Sequence, residues 1–580
     1  MSDLKEIIDL RLKLWSWLIL FTAIVLVGGL YFFQVVHTDK YVSLAIRNRL
    51  RIIRFPPARG EILDRNGAAL ALNETTFNIM GYPLDLMKGN TLDKFAAILS
   101  RQGIKVTSAD LVNNIKKQQM APYRVVTVAS NLAMTQMAEI VSDPDFMPQL
   151  FPMPVWRRIY PAGALASLIT GYVGEISEQE LKQNTDKGYL GGDIVGKNGV
   201  ERSYESVLRG ASGQEAIEVD ARGRRVKSIE TKKAIPGKNI KLTLDLAAQK
   251  EAIKLLEEKG HHGAIVIMDV RDGAIIAMVS SPAFDNNPLA WGISSQEWNA
   301  LITNPHKPML NRAISGTYPP ASTFKVLIAL AALSEQKVTP QTTFHCSGGL
   351  TVGNRTFRCW RRSGHGAVNI LGAIRHSCDV YFYEAGLKLG IENILKWTEI
   401  FGLGKTSGLD LPAEASGNTA GPAWKRNRFK QQWYLGDTVN YSIGQGYLLT
   451  TPLQLAVLYA AIANGGYLVT PYIVEGNSKA SLYLNINKEH LALIQRSLST
   501  VVRSGTGTRA GIYGLEIAGK TGTAQNSHGD DHALFIAYAP VKEPVYVVSV
   551  MLEAGIGGGS AAAPIAGQLL AYLLNKQNVQ

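Results

Sequence analysis

Ser322 and Lys325 stand three residues apart just behind a pair of prolines, a spacing suited to activating a hydroxyl as a nucleophile. Serine attacks poorly until a neighbouring base takes its proton. Tyr318-Pro319-Pro320 cannot continue a helix backwards but suits its first turn, so Ser322 is expected at the N-terminus of an apolar helix over Phe324–Leu333. There the helix dipole and unpaired N–H groups favour negative charge on an attacking or departing oxygen. Lys325 falls on the same helix face. A lysine of ordinary pKa, about 10.4, becomes a base only if burial or a second cation lowers it. Lys520 is the natural second cation. It opens Lys520-Thr521-Gly522-Thr523, which follows the extended segment GLEIAG and reads as a strand whose glycines let a substrate backbone lie along its edge. Lys520 and Thr521 would there hold the terminal carboxylate of a peptide. Between the two motifs stands Ser377-Cys378-Asp379. The spacing Ser-x-x-Lys also occurs at Ser2–Lys5 and Ser334–Lys337, but polar residues surround the latter, and only Ser322 has the proline-preceded setting that nucleophile chemistry needs. The chemistry indicated is acyl transfer.

The three cysteines, Cys346, Cys359 and Cys378, cluster around the second motif with His365 among them. Three thiolates and one imidazole match a closed tetrahedral zinc site, structural and not catalytic, although the spacing is looser than in zinc fingers. A Cys346–Cys359 disulfide with Cys378 free is one alternative in an oxidising compartment, and three free thiols are the other. The odd count and the glycine-rich, chain-reversing segment favour the metal.

The elements that must position these residues follow from the apolar pattern. At 580 residues, 46% apolar and 18% charged, the chain is globular and too long for one ordinary domain. Residues 14–36 carry no formal charge and as a helix would reach roughly 34 Å, enough to cross a bilayer. Trp15, Trp17, Tyr31 and Phe32 near its ends suit the interfaces, and no small-x-small cleavage site follows. Residues 1–13 read as a cytoplasmic tail, 37–235 as a mixed, non-repetitive pedestal, and 236–580 as the catalytic domain. In the last, residues 247–258 read as an amphipathic helix, Gly263–Val270 and Gly273–Ser280 as a hairpin, Ala533–Ala539 and Val545–Leu552 as strands, and Ala561–Leu574 as a closing helix. Strands early and late with helices between give an α+β domain, an antiparallel sheet flanked by helices. The net charge of +13 raises the question of polyanions, but no nucleic-acid motif accompanies it. Its densest stretch, Arg47, Arg49, Arg51, Arg54 and Arg59, reads as a strand with one solvated face, with contact to anionic headgroups as the second reading.

With these residues in view, the chain is similar over nearly its whole length to class B penicillin-binding proteins. RGEILDRNG, GKNGVE, YPPASTFK, SCDVYFY, YSIGQGY and AGKTGTA carry the resemblance, with YPPASTFK and SCDVYFY closest to the elongation-type branch. The resemblance implies that Ser322 is acylated, Lys325 is the base and Ser377 shuttles the proton to the leaving group. It implies that Lys520 and Thr521 bind the substrate carboxylate, with Gly522 and Thr523 completing that strand. The backbone N–H groups of Ser322 and Thr523 would form the oxyanion hole. Asp379 stands where the family usually has asparagine, and a carboxylate cannot donate to a substrate amide. The implied reaction is D,D-transpeptidation of a peptidoglycan stem pentapeptide onto an acceptor stem, blocked by β-lactams and needing no catalytic cofactor. Implied partners are a RodA-type polymerase and an MreC-type scaffold, and the implied location is the inner membrane, with the catalytic domain in the periplasm. Division-specific transpeptidase is the nearest alternative. A β-lactamase, a penicillin sensor and a non-catalytic scaffold fit less well, lacking respectively a water-activating group, a cytoplasmic effector and any reason to keep Ser322, Lys325 and Lys520.

Overall fold

The computed structural model describes residues 2–42, 50–87, 89–118, 125–219, 225–258, 260–526 and 529–577. Helix α1 (Ser2–Tyr31) ends in a looser turn, Phe32–Val36, and Ile7–Val36 is long and apolar enough to cross a membrane. The chain divides into two compact units. One comprises Met1–Ala58, Thr75–Trp156 and Gly210–Pro236; the other comprises Arg59–Glu74, Arg157–Arg209 and Gly237–Gln580.

In the first unit, helices Thr91–Arg101 and Ser108–Lys117 pack on strand Val126–Leu132 around Phe95, Ile98, Leu111 and Val128. Strands Leu50–Phe55, Gly213–Val219 and Arg225–Lys232 form a separate antiparallel sheet. The arginines expected on one solvated strand face divide. Arg47 and Arg49 lie outside the described residues, and Arg54 is exposed on its strand. Arg59 lies past the strand's end, in the second unit, and is buried. Its guanidinium and that of Arg158 grip Glu201 from two sides, at 2.5 and 2.7 Å, with Tyr160 also donating to the same carboxylate. Burial alone would raise the Glu201 carboxyl, but Arg158 and Arg59 outweigh it and hold it below its usual range.

The second unit is built on a five-stranded sheet, and its main elements in chain order are α2 (Leu246–Glu257), β1 (His262–Asp269), β2 (Ile275–Ser281), α3 (Lys325–Ser334), α4 (Asp379–Leu389), α5 (Pro452–Ala463), α6 (Lys488–Ser504), β3 (Ala518–Ala524), β4 (His532–Ala539), β5 (Tyr546–Glu553) and α7 (Ala563–Gln577). The strand order is β2-β1-β5-β4-β3, antiparallel throughout. Residues alternate between two cores. Val266, Met268, Leu534 and Ile536 face α3, α4 and α5, whereas Ile265, Ile267, Phe535 and Val550 face α2 and α7. Because helices cover both faces, the strands read as continuous apolar runs and not as alternation. The expected hairpin, late strands and closing helix are found within three residues of their expected bounds. Strand β3, which carries Lys520, lies at the sheet's edge. One side of its backbone is left for another chain.

The Arg59–Glu201–Arg158 cluster generates a stability expectation. Glu201→Ala takes from the buried Arg158 guanidinium its carboxylate partner and leaves Arg59 with Glu205 alone, and should cost about 3–5 kcal/mol. Breaking the exposed Lys405–Glu399 pair by Lys405→Ala should cost far less. Denaturant unfolding of the detergent-solubilised chain measures both, and equal small effects would refute the buried-cluster account.

Candidate active site

Ser322 lies in a single 3₁₀ turn, Ala321–Thr323, and α3 proper begins only at Lys325. Ser322 thus stands at the N-terminal end of α3, as the proline pair suggests, in a turn set apart from the helix by the left-handed backbone of Ala321 (φ +49°). The turn is pinned from outside. Ala321 donates its N–H to the Gly444 carbonyl at 2.8 Å, and Tyr459 donates its hydroxyl to the Thr323 carbonyl at 2.8 Å. Gly444 has φ +73°, and a Cβ there would meet the Ala321 carbonyl oxygen at 2.2 Å, so only glycine permits this approach. Ser377, the other serine of the site, is also left-handed at φ +53°. Such conformations cost of order 1–3 kcal/mol each and persist where surrounding contacts over-determine them.

Both lysines are completely buried. Lys325 Nζ donates to Asp379 Oδ1 at 2.6 Å, to the Ser377 carbonyl at 3.0 Å and to Ser377 Oγ at 3.3 Å. Lys520 Nζ reaches the same Ser377 Oγ at 3.0 Å and the Thr521 carbonyl at 3.0 Å. Burial first, and then the charge of Lys325, push Lys520 well below the usual lysine value, with Asp379 opposing. Above these groups lies a cleft of about 640 Å³, lined among others by Ser322, Ser377, Asp379, Thr521, Gly522 and Thr523. All eight residues of the expected acyl-transfer set are thus brought together. Gly522 has a use beyond substrate access. A Cβ there would press on Thr323 Cγ2 at 2.9 Å, so glycine lets the Ser322 turn pack against β3.

Other groups of the cleft went unassigned in the sequence. Thr506 Oγ1 shares a hydrogen bond with Thr521 Oγ1 at 2.8 Å, and Gln445 Nε2 donates to the Thr523 carbonyl at 3.3 Å. Gln445 belongs to YSIGQGY, so a signal existed for it; Thr506, in a plain Ser-Gly-Thr-Gly loop, offered none. The Trp360 backbone N–H donates to Asp379 Oδ2 at 2.8 Å, and its indole N–H to the His376 carbonyl at 3.0 Å.

Cys346, Cys359, His365 and Cys378 converge, with one donor atom from each lying within 4.8 Å of the others. None of the three cysteines is in a disulfide, and all are buried. His365 Nδ1 lies 3.5 Å from Cys359 Sγ and 3.7 Å from Cys346 Sγ. Cys359 gives up its proton more readily than Cys378, first because the Cys378 thiol hydrogen-bonds to it. Ligand atoms of a tetrahedral site with bonds of about 2.3 Å are about 3.8 Å apart, so the donor set and its compactness suit a soft divalent ion.

Comparison with known proteins gives the family. A family model described as the penicillin binding protein transpeptidase domain matches residues 263–571, and one described as the penicillin-binding protein dimerisation domain matches 54–242. The chain is 35% identical to the peptidoglycan D,D-transpeptidase MrdA of Haemophilus influenzae, over 95% of this chain and 90% of that protein. Among solved structures, it resembles penicillin-binding protein PBP2 in complex with MreC from Helicobacter pylori, with a TM-score of 0.83, 32% identity, and coverage of 91% of this chain and 99% of that one. It also resembles a chain of a peptidoglycan synthase complex that coordinates polymerization and crosslinking, with a TM-score of 0.74, 28% identity, and coverage of 97% and 98%.

The buried lysine pair sets a pH expectation. Because the folded-state pKa of Lys520 lies below its unfolded value, the unfolded chain binds more protons between the two, and stability should rise with pH through that window. In ¹³Cε-lysine NMR one resonance, assigned by its loss in Lys520→Met, should titrate well below the others. Lys325→Met should move it up towards the ordinary value, though not fully, since burial remains. A Lys520 resonance that titrates with the surface lysines would refute the account.

Proposed function

The chain belongs to the penicillin-binding protein transpeptidase family, and from that premise we propose how its own residues perform the reaction. It is a class B, PBP2-like peptidoglycan D,D-transpeptidase that cross-links stem peptides during elongation through an acyl-enzyme. The observation that carries the mechanism is the convergence of two buried lysines on one serine hydroxyl, Ser377 Oγ, at 3.3 and 3.0 Å beside Ser322.

The donor stem lies along the free edge of β3, its terminal carboxylate held by Thr521 and Lys520 and its scissile carbonyl over Ser322. An anion there favours a protonated Lys520. Ser377 can supply that proton by passing its own to Lys520 while taking one from Lys325, which leaves Lys325 neutral. Lys325 then takes the Ser322 proton as the Oγ–carbonyl bond forms, and the oxyanion is held by the N–H groups of Ser322 and Thr523. Return of a proton through Ser377 to the leaving nitrogen releases D-alanine. The amine of an acceptor stem then attacks the acyl carbonyl and gives up a proton by the same route to Lys325; the Ser322 Oγ–acyl bond breaks as Ser322 takes that proton back. Asp379 serves as an acceptor that fixes Lys325, filled from its other side by the Trp360 N–H, and not as a donor to substrate.

The Cys346, Cys359, His365 and Cys378 cluster is read as a structural zinc site. What supports this is the donor set, three buried thiols and an imidazole, and its closeness, within 4.8 Å. Bound there, zinc would supply cross-linking, not reactivity. Cys378 caps α4 between Ser377 and Asp379, and Cys359 precedes Trp360, so the ligands would brace the second motif from two sides. Helix α1 serves as a single-pass inner-membrane anchor with the second unit in the periplasm. An MreC-type scaffold and a RodA-type polymerase are the proposed partners, by likeness to the two solved complexes.

Labelled penicillin should acylate Ser322, and Ser322→Ala should abolish labelling in protein that stays folded. Lys325→Ala and Ser377→Ala should slow acylation by about 10² or more while leaving the non-covalent affinity for penicillin within a few-fold. An adduct mapped to Ser334 or Ser377, or near-normal acylation by Lys325→Ala, would overturn the roles.

Elemental analysis of chain purified without chelator should find about one zinc. Chelation or Cys359→Ser should lower the Tm and the acylation rate together, because ligand binding is coupled to folding. A metal-free protein, with stability sensitive to reductant instead of chelator, would refute the zinc reading.

A further inference from the structure

The antiparallel hairpin Gly349–Val352 and Arg355–Arg358, with the turn after it, carries four guanidinium groups: Arg355, Arg358, Arg361 and Arg362. All are exposed, and among the described residues none is ion-paired. Three of them, Arg355, Arg358 and Arg362, line the same cleft as Ser322 and Thr523. Like charges gathered on one wall repel each other, so their placement needs a counter-charge to be favourable. The cleft does not provide one. Of its two carboxylates, Asp379 is occupied by Lys325 and the Trp360 N–H, and Asp531 accepts from the Asn526 backbone.

The wall is also firmly held. Phe357 is buried with its ring centroid 5.9 Å from that of Tyr383, whose hydroxyl donates to the Arg358 carbonyl at 3.1 Å. The Arg355 guanidinium lies over the Phe357 ring at 5.1 Å. Arginines on an anchored hairpin lose less freedom on binding than arginines on a mobile loop, and their planar forks suit a carboxylate.

The terminal carboxylate of a bound donor is already accounted for by Lys520 and Thr521. A cleft of about 640 Å³ has room for more of the stem than its two terminal alanines. We infer that Arg355, Arg358 and Arg362 form a second carboxylate-binding wall, which selects donor stems carrying a free carboxylate on the residue before D-Ala-D-Ala. This deepens the transpeptidase reading and rests on it. The arginines touch substrate away from the reacting atoms, so they set specificity and do not assist the chemistry.

The test uses two synthetic donor pentapeptides, identical except that this carboxylate is free in one and amidated in the other. Both are given to the full chain in detergent with one amine acceptor. Both are also compared as competitors of fluorescent penicillin, a readout that needs no acceptor and no partner protein. The free acid should be preferred about tenfold or more, and mainly in KM or competition constant. The triple variant Arg355→Gln, Arg358→Gln, Arg362→Gln should lose that preference, and single variants should lose about two- to fivefold of it, in line with exposed pairs. Raising salt should erode the preference of the unmodified chain. The amidated donor and penicillin, which lack the second carboxylate, should change no more than about twofold. Equal handling of both donors by the unmodified chain, or an equal loss on both in the triple variant, would overturn the proposal. Failure of the transpeptidase reading looks different: no penicillin adduct on Ser322 and no competition by either peptide.

Discussion

Two ammonium groups buried around one hydroxyl are the constraint on which the rest of the catalytic unit depends. With Ser377 Oγ within hydrogen-bond reach of both, Lys325 Nζ and Lys520 Nζ are at most about 6 Å apart, and two positive charges at that distance repel by roughly 3 kcal/mol at an effective dielectric of 20. Desolvation adds to that cost. One carboxylate, Asp379, sits directly on Lys325 and none sits directly on Lys520, so the cost falls on Lys520. The arrangement therefore favours one proton on the pair and not two, and it supplies a neighbouring hydroxyl through which to move it. A substrate that brings its own carboxylate changes which lysine should hold that proton. Binding and generation of the base become one event.

That arrangement must be held against its own repulsion, which explains the thickness of the scaffold around it. Every residue of α5 is buried, as are Lys325–Leu333 of α3, and the sheet is covered on both faces. The three motifs come from elements far apart in sequence: the start of α3, the N-cap of α4 and an edge strand. Gly444 and Gly522 mark where these elements approach too closely for any side chain. The β3 edge stays open, and a peptide can extend the sheet there.

Much of this was legible in the sequence. The strands of the sheet are continuous apolar runs, and the proline pair, the Ser-x-x-Lys spacing and the Lys-Thr-Gly segment stand in order, so the fold class and the residues that converge on the cleft could be read from local pattern. The left-handed Ala321 in the turn before α3 left no local signal, because it is imposed by a hydrogen bond to Gly444, more than a hundred residues away. Arg59 read as part of a solvated strand because its partners, Glu201 and Glu205, are likewise remote in sequence. Chain order also conceals that Arg59–Glu74 and Arg157–Arg209 belong to the same compact unit as Gly237–Gln580. Backbone groups leave no trace in composition, and the Trp360 N–H on Asp379 is of that kind.

That last contact bears on why a carboxylate is tolerated at position 379. A free carboxylate beside a base would merely hold its proton, and in a substrate cleft it would repel an anionic stem. Here both oxygens are engaged, Oδ1 by Lys325 and Oδ2 by the Trp360 N–H, and the residue is buried. Its charge is spent inside the protein and not presented to the substrate. The segment that satisfies it runs directly from Cys359 into the arginine-bearing turn, and Cys378 precedes Asp379 in the chain. One small substructure thus neutralises Asp379, orients Ser377 and displays positive charge to the cleft. An asparagine at 379 would need none of this bracing, because a neutral amide in the same place has no charge to compensate. The carboxylate and the cysteine-bearing segment around it are best understood as a single unit, each making the other workable.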